Sequence, residues 1–541
     1  MRALHDALRR HQAGDLAGAG PLYERCLADN PDHPDALRLL GLLRRQQDDL
    51  PSALDLLRRA HHVAPADAQA RADLVTTLGS APASALDASW DPTLTALLCD
   101  PGVDPRHLRR PALAAARRLG PDAPLVRTLW ATGPMSDPAA EASVIRHRKR
   151  LLADPQGLDP ALAAAVALQA FHCDYAHWAQ DGELARVQAL VEDPSARSLA
   201  ELTAIAAYRR LAALPDAAAL ADGAVGAPDD PRQAVIRATL LEPLAERALA
   251  AELGAVAPVR GEVSSAVRAQ YEEHPYPRWS RLGALRRGPL SEALRARVPG
   301  WRPTDWPERP SALVAGCGTG NQPLQIALSH PEADVLGVDL SLASLGHAAR
   351  KARELGAANL TLLHGDLLDV GRLGLRFDYI ECGGVLHHLA DPLAGWRALT
   401  EVLAPGGLMK IGLYSERARR LVVRARQVIS AQGYGAEASE IRRFRRDLLA
   451  GGALAFAELQ GLLNWSDFYT LGECRDLLFH VQEHRFTPAS LAQAMDSLRL
   501  EFLGFRPAPA AARSLAEWEE YEQDHPDAFV GMYTFHCRAN T

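Results

Sequence analysis

Between positions 314 and 320 the chain reads Val314-Ala315-Gly316-Cys317-Gly318-Thr319-Gly320, with glycine at every second place. Gly316, Gly318 and Gly320 carry no side chain, so the backbone there can approach a ligand closely and adopt turns closed to other residues. About 20 residues on stands Asp339, an acid suited to accept hydrogen bonds from ribose hydroxyls. Gly365-Asp366-Leu367 follows and offers a second carboxylate to an amino group such as that of adenine. Together these residues describe recognition of an adenosine-containing ligand, and two kinds of cofactor share such a loop. In dinucleotide sites a third glycine serves close helix packing and pyrophosphate approach, and here Asn321 takes that place. A nicotinamide dinucleotide is therefore disfavoured, and adenosine without pyrophosphate fits.

The hydrophobic period shows which elements must hold these residues. Short apolar runs at Ala312 to Ala315, Val335 to Val338, Leu360 to Leu363, Tyr379 to Cys382 and Leu408 to Leu413 alternate with helical stretches, among them those beginning at Gln322 and Leu342. Strands alternating with helices predict a parallel, doubly wound sheet. The glycine loop then lies between the first strand and the first helix, where ligands meet the carboxyl ends of strands and the positive end of a helix.

The succession of Val314 to Gly320, Gly337-Val338-Asp339, Gly365-Asp366, Glu381-Cys382-Gly383-Gly384-Val385-Leu386-His387-His388 and Leu403-Ala404-Pro405-Gly406-Gly407 resembles class I S-adenosylmethionine-dependent methyltransferases. The resemblance implies a Rossmann-like α/β domain whose sheet closes with an antiparallel pair. Phe502-Leu503-Gly504-Phe505 and Met532-Tyr533-Thr534-Phe535-His536 are the candidates for that pair. It also implies S-adenosyl-L-methionine as cofactor, with no metal required. By carry-over, the glycine loop holds the methionine moiety, Asp339 the ribose, and Asp366 with Leu367 the adenine. Val385 and His388 line the cofactor near the sulfonium, and Ala315, Cys317, Leu340, Gly365 and Gly383 complete the site.

A long insertion, about residues 415 to 500, separates the fifth strand from the last pair. It begins with Arg417, Arg419, Arg420, Arg424 and Arg426. Such a basic run is usually a solvated helix face. A substrate cap is the alternative, because insertions at this edge overhang the cofactor. Inside it, Asn464-Trp465-Ser466-Asp467-Phe468-Tyr469 and the stretch from Arg475 to His484 combine aromatics, carboxylates and histidines. With Tyr271 to Trp279, this insertion resembles bacterial methyltransferases that carry a helical accessory or regulatory domain, some of which methylate lysines on surface proteins. Asp467, Tyr469, His480, Glu483 and His388 are the candidate catalytic residues, with His484 a further base. Tyr271, Tyr276, Arg278, Tyr414 and Arg475 are the candidates for holding substrate, aromatic faces being suited to an ammonium.

The front of the chain repeats. Asp15-Leu16, Ala19, Leu22 and Pro31 recur at Asp49-Leu50, Ala53, Leu56 and Pro65, the tetratricopeptide pattern of helix hairpins. A further helix, Ala68 to Leu78, is expected to cap them. From residue 81 to about 260 the sequence is rich in Ala, Leu and Arg and broken by Asp-Pro turns, which predicts a helical array without chemistry of its own. His172, Cys173, His177 and Trp178 read there as the packing of one amphipathic helix. The expected division is therefore repeats over 1–80, a helical domain over 81–260, and a methyltransferase domain over 261–541 with its cap.

Over 541 residues, hydrophobic types make up 48% and charged types 23%, the range of ordinary globular chains, and the net charge of −7 disfavours nucleic acid as a partner. Seven scattered cysteines show no metal-binding spacing. The first residues lack a signal peptide's apolar stretch, and no membrane span is expected, so the cytoplasm is the expected location. The favoured reading is methyl transfer to a protein or peptide side chain, N-methylation above all, with the repeats binding a polypeptide or supporting an oligomer. The alternatives are a small-molecule methyltransferase whose repeats mediate assembly, and a scaffold that binds the cofactor without turnover.

Overall fold

The structure, a computed structural model, describes every residue except 1, 194, 196, 224–226, 278, 299, 304, 452, 453, 507–513, 530 and 541, and the side chains of 454 and 455. The chain forms two compact units. One comprises Met1–His172 with Ser280–Ala284, the other Cys173–Trp279 with Leu285–Thr541. The division falls inside the segment that composition groups as a single helical region. The helix Pro160–His172 ends where the first unit ends, and Cys173 packs with the cap of the second unit, so His172 to Trp178 are not one amphipathic helix.

In the first unit the repeat becomes geometry. Helices Leu16–Asp29 and Leu50–Val63 begin at Asp15 and Asp49, whose carboxylates accept from the backbone N–H of Gly18 and Ser52. Such N-caps satisfy a donor that the helix leaves unpaired. Ala19 and Ala53, at matching places, are completely buried where the helices touch. Ala68–Ser80 follows as the expected capping helix.

The second unit holds an eight-stranded sheet: β1 Gly254–Ala255, β2 Ser311–Ala315, β3 Asp334–Asp339, β4 Leu360–His364, β5 Phe377–Gly383, β6 Leu403–Tyr414, β7 Leu500–Phe505 and β8 Met532–Ala539, in the order β1-β4-β3-β2-β5-β6-β8-β7. All pairs are parallel except those of β8 with β6 and β7. The α/β fold with an antiparallel end is thus present, and β1, from the region read as purely helical, extends it. One face of the sheet carries the main core: Leu313, Ala315, Ile380, Cys382, Met409 and Ile411 pack with Trp396, Leu491 and Trp518. Helices Arg420–Ala431, Ala438–Ala450 and Leu471–Phe479 form the insertion's own core around Phe444, Phe468 and Tyr469. Among the described residues no helix is long and apolar enough to cross a membrane.

Candidate active site

A cavity of about 320 Å³ opens at the carboxyl ends of β2 to β6. The glycine loop forms one wall. Gly316 and Gly318 hold φ at +69° and +51°, values that cost other residues roughly 1–2 kcal/mol. A Cβ on Gly316 would also collide with Val385, and one on Gly318 with the carbonyl of Tyr276. That carbonyl belongs to a strap laid over the loop. Thr319 N–H donates to Tyr276 O at 3.2 Å, the Thr319 hydroxyl donates to Pro277 O, and Trp279 Nε1 donates to Thr319 O at 3.1 Å.

Asp339 is half-buried and shapes the same wall: Gly318 N–H donates to its Oδ2 at 2.7 Å and Ser341 N–H to its Oδ1 at 2.9 Å. Burial holds its carboxyl above the usual range. Opposite lies the helix Glu262–Glu273, whose Val263, Val267 and Tyr271 face the cavity. Its last turn is tied down by Glu272, which accepts from the N–H groups of Leu342 and Ala343, and by Tyr271 O, which accepts from Ser341 Oγ. A bare loop, two carboxylates and an apolar cover suit an adenosine with a short tail.

Beyond the loop the cavity changes character. Tyr271, Tyr276, Tyr414, His388 and Asp476 line it together. The Tyr271 hydroxyl donates to Asp476 Oδ1 at 2.5 Å, and Tyr271 and Tyr276 rings lie 6.3 Å apart. Asp467 stands nearby without lining the cavity; its carboxyl accepts from Ser466 Oγ at 2.9 Å and is raised by burial and then by the charge of Asp476. Arg419 stands over the Tyr414 ring at 3.9 Å. This end is aromatic and acidic.

Two histidines are held by the backbone of one residue here, Gln482. His388 Nδ1 donates to Gln482 O at 2.8 Å, while Gln482 N–H donates to His480 Nδ1 at 3.2 Å. A carbonyl can only accept and an N–H can only donate, so the neutral rings hold opposite tautomers. His388 keeps a lone pair at Nε2, and His480 keeps an N–H near Tyr271 and Asp476. His388, Asp476 and His480 also bring three ligand-type atoms within 4.8 Å of one another. Yet the two rings stack at 3.6 Å with planes 21° apart. An ion shared between such rings would sit well out of both planes at a metal–nitrogen bond of about 2 Å, so their lone pairs do not converge on it.

Residues 313–409 match the family described as methyltransferase domain, and residues 10–78 match the tetratricopeptide repeat. The chain carries a class I methyltransferase domain. An uncharacterized protein of Synechococcus sp. is 34% identical over 208 residues, which cover 36% of this chain and 48% of that relative. The trans-aconitate 2-methyltransferase of Deinococcus radiodurans is 38% identical over 107 residues, 19% of this chain and 39% of that enzyme. The chain therefore spans less than half the length of these curated relatives. Among solved structures, PKMT2 from Rickettsia typhi superposes with a TM-score of 0.38 at 16% identity, covering 46% of this chain and 52% of that one. The cofactor of the methyltransferase domain is S-adenosylmethionine.

Within the methyltransferase domain, the residues expected at the cofactor line the cavity except Ala315 and Gly320. Ala315 belongs to the core on the other side of the sheet, because side chains alternate along a strand. Gly320 opens the helix Asn321–Ser329 at φ +84°, and a Cβ there would strike Ala348. Three residues proposed for chemistry or substrate serve structure instead. Tyr469 is fully buried in the cap core and its hydroxyl donates to Leu463 O at 2.9 Å. Glu483 is buried among Arg419, Arg426 and Arg485. Arg475 turns outward to pair with Glu273. Arg278 lies outside the described residues. His484 donates its backbone N–H to His387 O at 2.8 Å and does not line the cavity. The arginine run is not simply solvated either, since Arg419 is buried and Arg417 pairs with Glu519.

Asp476 and the Glu381–Lys410 pair line the cavity and escaped sequence reasoning. Asp476 sits one residue past Arg475, and only the phase of the helix Leu471–Phe479 decides which of them turns inward. Glu381 lies in the run Glu381 to His388 quoted for its family likeness, and an acid inside an otherwise apolar strand was the signal available.

Burial keeps His387, His388, His480 and His536 neutral. His480 is pushed down to about 3, by burial and by His388 beside it, and His536 to about 3, by burial and by Lys410. Burial also lowers His387 and His388. In the unfolded chain these rings titrate near their ordinary value, about 6.5, so below that pH the unfolded state takes up protons first. Stability is present above about pH 6.5 and falls with acid toward pH 3. Between about pH 7.5 and pH 5.5, His480 and His536 should each remove roughly 1 kcal/mol. Urea midpoints measured at the two pH values check this, and an unchanged midpoint would refute it.

Proposed function

We propose that this protein transfers the methyl group of S-adenosylmethionine to an amine on a protein or peptide side chain. The observation that carries the reading is the convergence of Tyr271, Tyr276, Tyr414, Asp476 and His388 on the cavity wall beside the glycine loop. Aromatic faces and a carboxylate together favour a cation, and an ammonium brings only donors to a wall rich in acceptors. The bound cofactor supplies an electrophilic methyl carbon. The chain's own part is to align the amine with it and exclude water. The ammonium must give up one proton to solvent before its nitrogen can attack, and His388 Nε2, free to accept, can orient a remaining N–H of the amine. The repeats support a polypeptide acceptor, since stacked helix hairpins present surfaces that bind peptides. The free thiols of Cys26, Cys99, Cys317, Cys382 and Cys537 fit a reducing compartment such as the cytoplasm.

The test is mass spectrometry of a bacterial lysate incubated with the purified full chain and isotopically labelled S-adenosylmethionine. Label should appear as a one-methylene mass gain on lysine side chains or amino termini of proteins. Label confined to metabolites would overturn the protein reading in favour of a small-molecule acceptor. No label anywhere, with donor still bound, would favour a cofactor-binding scaffold.

A further inference from the structure

On the face of the sheet that carries the cavity, three neighbouring strands stand in fixed register. Glu381 of β5 pairs with Lys410 of β6, which pairs with His536 of β8; two residues along, Gly383 pairs with Gly412, which pairs with Thr534. Alternate residues of a strand share a face, so both rows lie on the same side. The first row is charged: Lys410 Nζ donates to Glu381 Oε1 at 2.7 Å, and the Tyr379 hydroxyl donates to Oε2 at 3.2 Å. The second row has a side chain only at Thr534; Met532 packs over Gly412, while the place over Gly383 is open. Gly383 is not in the left-handed region, and a Cβ built on it meets nothing within 4 Å, so neither strain nor packing calls for glycine there. What its missing side chain leaves is room, in a cavity that Glu381, Lys410 and Thr534 also line.

Stability does not account for the ion pair, because an apolar pair of similar volume is often at least as stable in a partly buried place. The groups retain spare capacity instead. A carboxylate accepts about four hydrogen bonds and an ammonium donates three. Among the described residues Glu381 accepts two and Lys410 donates one, while the Thr534 hydroxyl has no partner. Side by side, then, stand an acceptor for an ammonium and donors for a carboxylate, with empty space above them. That is the complement of an α-amino-acid head group.

The strand order indicates which head group it is. Asp366 follows β4, Asp339 ends β3, the glycine loop follows β2, and β5 and β6 come next. A donor with its adenine at Asp366 and its ribose at Asp339 must direct the rest of its length across the loop toward β5. Two strand spacings, about 10 Å, separate β3 from β5, a distance suited to a ribose and a short amino-acid tail.

The structure assigns Glu381 and Lys410 to the zwitterionic amino-acid end of the methyl donor. The assignment rests on the methyl-transfer reading only through the identity of the donor, and is independent of the acceptor. The test is calorimetric titration of the full chain, as wild type, Glu381→Gln and Lys410→Met, with two probes. S-adenosylhomocysteine carries the amino-acid end, and methylthioadenosine has the same thioadenosine without it. Each variant should bind S-adenosylhomocysteine about tenfold or more weakly, and methylthioadenosine within about twofold of wild type, which also shows the variant to be folded. Equal weakening of both probes would mean general damage to the site and overturn the assignment. Unchanged affinity for both would overturn it too, and would hand the pair to the acceptor. Failure of the wild type to bind either probe would instead sink the donor itself.

Discussion

Replacing Gly318 with alanine is expected to lower the affinity for S-adenosylmethionine about a hundredfold or more. Two effects add. At φ +51° the alanine is strained, and its Cβ would overlap the carbonyl of Tyr276. That carbonyl accepts the Thr319 N–H, so relieving the overlap pulls the strap off the loop and moves Tyr276 and Pro277, which line the cavity. Calorimetry with the donor measures the loss, and wild-type affinity in Gly318→Ala would refute the account. Gly383→Ala is the contrast: its Cβ meets no protein atom, so its unfolding midpoint should match wild type.

Removing the Glu483 carboxylate in Glu483→Ala should destabilise the second unit by about 3–5 kcal/mol, because breaking one side of a buried ion pair strands the other. Glu483 is 1% exposed and pairs with Arg419 at 2.5 Å and Arg426 at 2.9 Å, with Arg485 at 3.6 Å. Arg419, itself 3% exposed, would keep its charge with no other carboxylate paired to it among the described residues. The damage should spread to the site, since the backbone N–H and C=O of neighbouring Gln482 set His480 and His388. Urea unfolding gives the stability, and a loss under about 1 kcal/mol would place the pair among dispensable surface contacts.

Glu483 shows why the cap was harder to read than the loop. Its stretch, from Arg475 to His484, is rich in polar and aromatic residues, and composition alone presents all of them as candidates. In the fold they divide. Asp476 faces the cavity, Arg475 faces Glu273 and Glu483 neutralises three arginines, while Tyr469 of the preceding run fills the cap's core. Which way each turns depends on helix phase and on partners distant in sequence, such as Tyr271 for Asp476. Local pattern does not contain those partners.

By itself the sequence determined whatever arises within a few consecutive residues or from a regular period. The glycine loop, Asp339 at a strand end, the alternation of strands and helices and the N-caps at Asp15 and Asp49 are all of this kind. Each depends on backbone conformation, burial period or a single carboxylate near its own helix. Only the tertiary structure decided the rest. It brought the strap of Tyr276 and Pro277 onto Gly318, stacked His388 on His480, set Glu381 beside Lys410, and added β1 to the sheet's edge. These are contacts across many residues of chain, and their energy comes from packing and pairing that form only when the whole sheet and its cap have closed.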